Sequence, residues 1–255
     1  MATKFYVVWE GREKGIFYDW DSCRRQIDKF AGAKYKSYKT LAEAQAAFRG
    51  GSAAAIVNRT KKTPRKYSGK GLRTYAAEEV AALPVQTKIF TDGGCDPNPG
   101  NAGSGLAVYR EDQLAELWYG LYNPQGTNNT AELNALHQAL LMAEKEIEKK
   151  KTVAIFCDSQ YSIQCVTKWA ANWEKKGWTK PGGEIKNLDL IQPMFVLYGK
   201  LKRSVQVLHV NGHVGLEGNE LADRMSIHGI DTKEKTFTRF PTPTSLKKIL
   251  AMRTG

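Results

Sequence analysis

The sequence predicts an α/β protein in which a mixed five-stranded sheet, flanked by helices, follows a small α+β module. Three observations predict it. In the larger, C-terminal part, three strand-like runs precede the first long helical run, as in an antiparallel meander. After that helix, strand-like and helical runs alternate, as in parallel strands reached through helical crossovers. Ahead of both, small, basic and turn-forming residues separate the first fifty residues from the remainder of the 255.

In chain order, FYVVWEG is an aromatic and β-branched strand, and GIFYDW is a second one after the turn EGREKG. Asp21 or Ser22 is placed to cap a helix through CRRQIDKF, where Cys23, Ile27 and Phe30 recur at helical spacing. KYKSY reads as a third strand. TLAEAQAAF closes the module as a helix, with Thr40 as cap and Glu43 at the capping-box position. Residues 51–85 read as a flexible basic linker, within which RTKKTPRK also admits a nuclear-localisation reading. In residues 86–229 the strands are TKIFTDGG, SGLAVYR and LAELWYGLY, with a turn at REDQ, then TVAIFCDS and SVQVLHV. The helices are TAELNALHQALLMAEKEIEKK, SIQCVTKWAANWEKKG, a run near NLDLIQPMFVLYGKL, and NELADRMSIHG. Residues 230–255 are expected to form a mobile basic tail with one helical turn at SLKKILAM.

Composition narrows the function classes. No apolar run reaches eighteen residues, which excludes a spanning helix, and no leader-like stretch opens the chain, so the mature chain is expected to begin at Met1. Four scattered cysteines without a CxxC pair read as reduced thiols. The expected location is cytoplasmic, or nuclear or organellar in a eukaryote, and the expected state is a monomer. The net charge of +12 is unevenly spread: residues 87–228 carry 15 Lys/Arg against 16 Asp/Glu, so the whole basic excess lies in the first module, the linker and the tail. Those parts would grip a polyanion, although solubilising charge reads equally well from charge alone.

Four acids occupy positions with weak structural reasons for an acid. Asp92 ends the apolar run KIFT before Gly93-Gly94, and Asp158 ends TVAIFC. Strand ends of this kind open into the crevice where α/β sheets hold ligands. Glu132 lies one turn into the long helix, behind Thr127-Asn128-Asn129-Thr130, and Asp223 lies in the last helix. Taken singly, each acid also reads as a turn former, a helix-dipole partner or a salt-bridge partner. Together in one crevice they would repel unless cations joined them, and hard oxygen ligands suit Mg²⁺ or Mn²⁺.

Order and flanking sequence then carry a resemblance. TDGGCDPNPGNAGSG, TNNTAELNAL, FCDSQYSIQCVTKWAANWEKKGW and VNGHVGLEGNELADRM resemble, in order and spacing, the motifs of the type I ribonuclease H family. The resemblance implies an RNase H-like fold and an endoribonuclease cutting the RNA strand of RNA–DNA hybrids, with 5′-phosphate and 3′-hydroxyl products. It implies two Mg²⁺ ions, with Mn²⁺ as substitute, on Asp92, Glu132, Asp158 and Asp223. Asp92 would bridge the ions, Glu132 and Asp158 complete the leaving-group ion, and Asp223 hold the nucleophile ion. His213 matches the family's mobile-loop histidine, a proton carrier, while His137, His209 and His228 match nothing and read as structural.

The same resemblance places Asn98, Asn128, Asn129 and Gln160 at the minor groove, and Trp169 and Tyr161 at the DNA strand. Thr127 and Asn187 would hold a DNA phosphate, with Gln125 where some relatives carry arginine. Lys175, Lys176 and Lys180 would meet the backbone. Residues 1–50 resemble the hybrid-binding domain of two-domain members, which implies contacts to hybrid, and to duplex RNA, through Trp20, Tyr35 and Lys36. Ser37 stands where these domains often carry a second lysine. A non-catalytic binder of the same fold, or a DNA-directed integrase or resolvase, is the rival reading.

Overall fold

The computed structural model describes residues 4–28, 30, 32–49, 72–212, 214–241 and 245–255. The chain divides into two units, Met1–Gly69 and Lys70–Gly255. Most of the segment read as a linker, including RTKKTPRK, lies outside the described residues, as does His213.

In the first unit, β1 (Phe5–Glu10) is the central strand of an antiparallel sheet, between β2 (Gly15–Phe17) and β3 (Lys34–Tyr38). Helix α1 (Trp20–Ile27) begins earlier than its sequence suggests. Asp19 is the cap, accepting from the Ser22 amide at 2.7 Å, in place of Asp21 or Ser22. Its extended backbone leaves the side chain free to satisfy an orphan amide. Helix α2 (Leu41–Arg49) has the expected capping box: Thr40 Oγ1 accepts from the Glu43 amide, and a Glu43 carboxylate oxygen accepts from the Thr40 amide. Val7, Val8, Trp9, Cys23 and Ala44 are the buried apolar residues, a small core for a small unit.

The second unit is built on a mixed sheet of seven strands, five of them those expected. A meander of β5 (Thr87–Asp96), β6 (Gly100–Arg110) and β7 (Gln113–Gly126) is antiparallel throughout. Its β6–β7 turn places Glu111 and Asp112 at φ 48° and 60°, the left-handed pair that a two-residue hairpin requires. On the other side of β5 lie β8 (Val153–Cys157) and β9 (Val205–Val210), each parallel to its neighbour. Two short strands extend the edges. Thr74–Tyr75 (β4) pairs parallel with β9, and Thr238–Arg239 (β10) pairs antiparallel with β7.

These edge strands revise the expected boundaries. Residues 72–85 belong to the second unit: helix α3 (Ala77–Ala81) follows β4 and buries Val80 in the core. The tail is likewise built in. Beyond β10, helix α9 (Leu246–Leu250) buries Ile249.

The helices cover both faces of the sheet. On one face α4 (Asn128–Glu148) presents Leu133, Leu136 and Leu140, all fully buried, to Ile89, Leu106 and Ile155. Burying each such side chain stabilises the fold by roughly 1.5–3 kcal/mol. Helix α7 (Leu188–Leu201) joins this core through Ile191 and Met194. The expected single helix after β8 is interrupted: α5 (Gln160–Gln164) and α6 (Ala170–Lys175) flank a π-turn at Cys165–Trp169. On the other face α8 (Glu217–Thr232) packs Leu221, Ala222 and Met225 against Phe90, Leu117 and Phe156. It approaches so closely that a Cβ on Gly105 would sit 2.2 Å from the Ala222 carbonyl oxygen. Among the described residues no helix is long and apolar enough to cross a membrane.

Candidate active site

Parallel pairing brings the first two acids together. Thr91 of β5 is in register with Cys157 of β8, so the next residues, Asp92 and Asp158, emerge side by side. Glu132 arrives from the opposite layer. Gly93 lets the first turn of α4 press on the strand, and a Cβ there would lie 2.2 Å from the Glu132 amide nitrogen. Asp223 reaches the same place from α8. All four line one cavity of about 390 Å³, together with Asn128 and Gly94. The four acids expected to act together are therefore together.

Their electrostatics favour a cation. Burial, and then the negative charges of Asp158 and Asp223, push the Asp92 carboxyl well above the usual carboxylate range. Burial, then Asp92 and Asp158, do the same to Glu132. Two like charges about 4 Å apart repel by about 4 kcal/mol at an effective dielectric constant of about 20, more than a hydrogen bond returns. Glu132 Oε2 is buried with no hydrogen-bond partner. Ligand atoms of Glu132, Cys157 and Asp158 lie within 4.8 Å of one another, as for an ion. Burial and the Glu132 charge hold the Cys157 thiol protonated, so the available donors are hard oxygens, which fit Mg²⁺ or Mn²⁺ rather than zinc. The residues present fit a divalent-metal site.

Several groups that sequence reasoning passed over also reach this crevice. Asp158 Oδ2 accepts from Asn219 Nδ2 at 3.4 Å, and the Asp158 main-chain carbonyl lies 3.1 Å from His209 Nε2. Asp223 Oδ2 is bonded by Arg224. Its Oδ1 accepts from the Gly255 amide at 3.0 Å, and Thr254 and Gly255 line the cavity. Arg253 pairs with Asp96 at 3.1 Å and Asp231 at 3.5 Å. Asn219 lies inside the GNELAD stretch and was findable there; nothing in the tail sequence signals its path into the crevice.

The expected nucleic-acid residues are distributed over both units. Asn98, Asn128 and Asn129 sit together at the head of α4, where Asn98 Oδ1 accepts from the Asn128 amide at 3.2 Å. Thr127 is the α4 cap, its Oγ1 accepting from the Thr130 amide. Gln160 is exposed at the start of α5. Tyr161 and Trp169 are half-buried and in edge contact, with ring centroids 6.1 Å apart, and the Tyr161 hydroxyl accepts from Asn187 at 3.3 Å. Trp173 packs beside Trp169, against the core. Lys175, Lys176 and Lys180 are exposed. In the first unit Trp20 and Tyr35 are exposed neighbours, with centroids 6.1 Å apart. Lys36 does not join them: strand alternation turns it to the other face, over the Tyr38 ring at 5.5 Å.

A second cavity, of about 410 Å³, has Lys88, Phe90, Tyr109 and Glu217 in its walls. Its polar groups already satisfy one another, Lys88 on Asp112 at 2.7 Å and Tyr109 on Glu217 at 2.6 Å. The carboxylate crevice is the site with unmet electrostatic demand.

Comparison with known proteins agrees with this geometry. The sequence model of the RNase H family matches residues 84–231, and that of the Ribonuclease H1 N-terminal domain matches residues 4–48. Ribonuclease H1 of Rattus norvegicus is 30% identical over 262 residues, covering 90% of this chain and 90% of its own. A ribonuclease H of Pseudomonas putida is 37% identical over 145 residues, 56% of this chain and 93% of its own. In structure, LC9-RNase H1, a type 1 RNase H with the type 2 active-site motif, superposes with a TM-score of 0.53 at 21% identity. That match covers 66% of this chain and 81% of that one, and shows the shared fold. With its carboxylates gathered in one crevice, Asp92 from within β5 and Asp158 just beyond β8, and a Ribonuclease H1 N-terminal domain in front, the chain belongs to the RNase H family and is a ribonuclease H.

Proposed function

We propose that this ribonuclease H hydrolyses the RNA strand of RNA–DNA hybrids, leaving 5′-phosphate and 3′-hydroxyl ends. Two Mg²⁺ ions, replaceable by Mn²⁺, would be held by Asp92, Glu132, Asp158 and Asp223. The observation that carries this reading is the convergence of the four acids, with Asp92 and Glu132 raised by burial and mutual repulsion. Bound there, divalent ions supply the Lewis acidity that makes water a nucleophile and steadies a departing oxygen.

The chain's own residues do the placing. The Gly93 amide donates to Asp92 Oδ1 at 2.8 Å, and Asn219 steadies Asp158, so both carboxylates are preset. Asn98, Asn128 and Asn129, able to donate and accept, face the strand whose 2′-hydroxyls must be sensed. Tyr161 and Trp169 offer flat surface to the deoxyribose strand. Lys175, Lys176 and Lys180 neutralise backbone charge, and His213 carries a proton by analogy with its motif. In the first unit Trp20 and Tyr35 form the surface for hybrid or duplex RNA, with Lys36 serving from the opposite face. The protein acts as a monomer in this reading.

Incubating end-labelled hybrid, duplex RNA and duplex DNA with Mg²⁺ tests it. Cleavage confined to the RNA of the hybrid is the expected result. Hybrid bound but uncut would make the protein a binder, and cut duplex DNA would make it a DNA nuclease.

A further inference from the structure

One buried histidine is placed to control a metal ligand. His209, in the strand VQVLHV, is 5% exposed and has both ring nitrogens engaged. Nε2 lies 3.1 Å from the main-chain carbonyl of Asp158, and Nδ1 lies 2.8 Å from Thr74 Oγ1. A carbonyl can only accept, so Nε2 carries the hydrogen. The neutral ring then accepts at Nδ1, and the Thr74 hydroxyl donates.

The position in the sheet gives this contact its role. The ladder between β8 and β9 ends at the Cys157–His209 pair, and Asp158 is the next residue. The His209 side chain therefore continues the hold on this strand one residue further, at the point where the chain turns a carboxylate into the crevice. Thr74 is itself fixed. It pairs with His209 across β4 and β9, beside Arg73, whose guanidinium lies over Tyr75 at 4.4 Å and pairs with Glu79 at 2.6 Å. Glu79 also accepts from the Ala76 amide at 3.0 Å, and Val80 is buried under Phe90 and Phe156. Residues 73–80 thus form a clasp on the sheet edge. The clasp precedes residue 84, where the match to the RNase H family begins.

We propose that His209 is a positioning residue, and that the Thr74–His209 pair sets the direction in which the Asp158 carboxylate faces the metal site. A part of the catalytic geometry is then supplied from outside the family's own segment, by the chain that leads in from the first unit. The proposal rests on the reading of the crevice as a divalent-metal site.

Three full-length variants test it: Thr74→Val, which keeps shape and removes the hydroxyl; His209→Gln, whose side-chain amide can still donate to the carbonyl; and His209→Leu, which cannot. Mn²⁺ binding is measured by calorimetry, kcat and KM on a hybrid are measured separately, and ¹⁵N-edited NMR reports the imidazole of the metal-free protein. His209→Leu should weaken Mn²⁺ binding by about tenfold and lower kcat, with KM for hybrid changed less than about twofold. His209→Gln should recover most of the loss, and Thr74→Val should cost about threefold while shifting the Nδ1 resonance. Should His209→Leu not fold, Thr74→Val and the NMR spectrum decide. An Nδ1-protonated tautomer in the wild type, or Thr74→Val and His209→Leu with unchanged Mn²⁺ affinity and kcat, overturns the proposal. If the wild type itself binds no Mn²⁺ and cuts no hybrid, the crevice reading has failed, which is a different result.

Discussion

The two sides of the crevice use the same kind of residue in opposite surroundings. On one side Asp92 and Glu132 are crowded by like charge, and Glu132 Oε2 is buried without a partner. On the other, Asp223 has donors on both oxygens, from Arg224 and from the Gly255 amide. The first side is strained until a cation arrives; the second is satisfied until one displaces a donor. Preorganisation for a metal therefore costs stability on one side and requires a local exchange of partners on the other.

The largest effect is expected from Asp92→Asn, which should reduce hybrid cleavage by on the order of a thousandfold while leaving hybrid binding measurable. Metal-dependent cleavage at the wild-type rate would show that the strained side is not the metal side.

Next comes stability. A carboxyl raised in the folded state keeps its proton where the unfolded chain has lost it, so it favours folding at low pH. That contribution fades as pH rises from the unfolded value, 4.5 for Glu132, through the raised folded one. Glu132→Gln should therefore make the metal-free protein more stable at neutral pH, by about 2–4 °C in Tm, with a shallower decline between acid and neutral pH. Added Mg²⁺ should stabilise the wild type more than the variant. A lower Tm for Glu132→Gln would mean that the charge is not a burden.

On the satisfied side, Arg253→Ala loosens the segment that holds Gly255 against Asp223. The half-saturating Mg²⁺ concentration should fall by about two- to threefold. An unchanged or higher value would mean that the segment does not compete. The smallest change is expected at Trp20→Ala, as a control outside the crevice. Hybrid affinity should fall by a factor of a few, while the Mg²⁺ requirement stays the same.

Much of this was legible in the sequence, for physical reasons that also explain the rest. The buried faces of α4 and α8 repeat with helical spacing, and the apolar runs KIFT and VAIFC are each followed by an acid, so the layers and the four acids could be read directly. A two-residue strand such as Thr74–Tyr75 has no period to detect; it exists because the β9 edge offers partners. The same holds for Thr238–Arg239 against β7; the helical turn read at SLKKILAM is there as Leu246–Leu250, but its sequence did not show that Ile249 would be buried. His209 looked like one more core residue, since sequence shows the ring but not the two atoms it touches. Tyr35 and Lys36 are adjacent in sequence, but pleating sends them to opposite faces, which adjacency alone does not show.

The Gly255 amide on Asp223 has a reciprocal consequence. Two partners competing for one oxygen must weaken each other equally, whichever is added first. Divalent ions should then release residues 253–255, and in their presence the amides of those residues should exchange faster. The phosphates of a bound strand, by drawing Arg253 away from Asp96 and Asp231, would act in the same direction. Substrate and metal would then favour each other's binding through a segment that contributes no ligand to the metal.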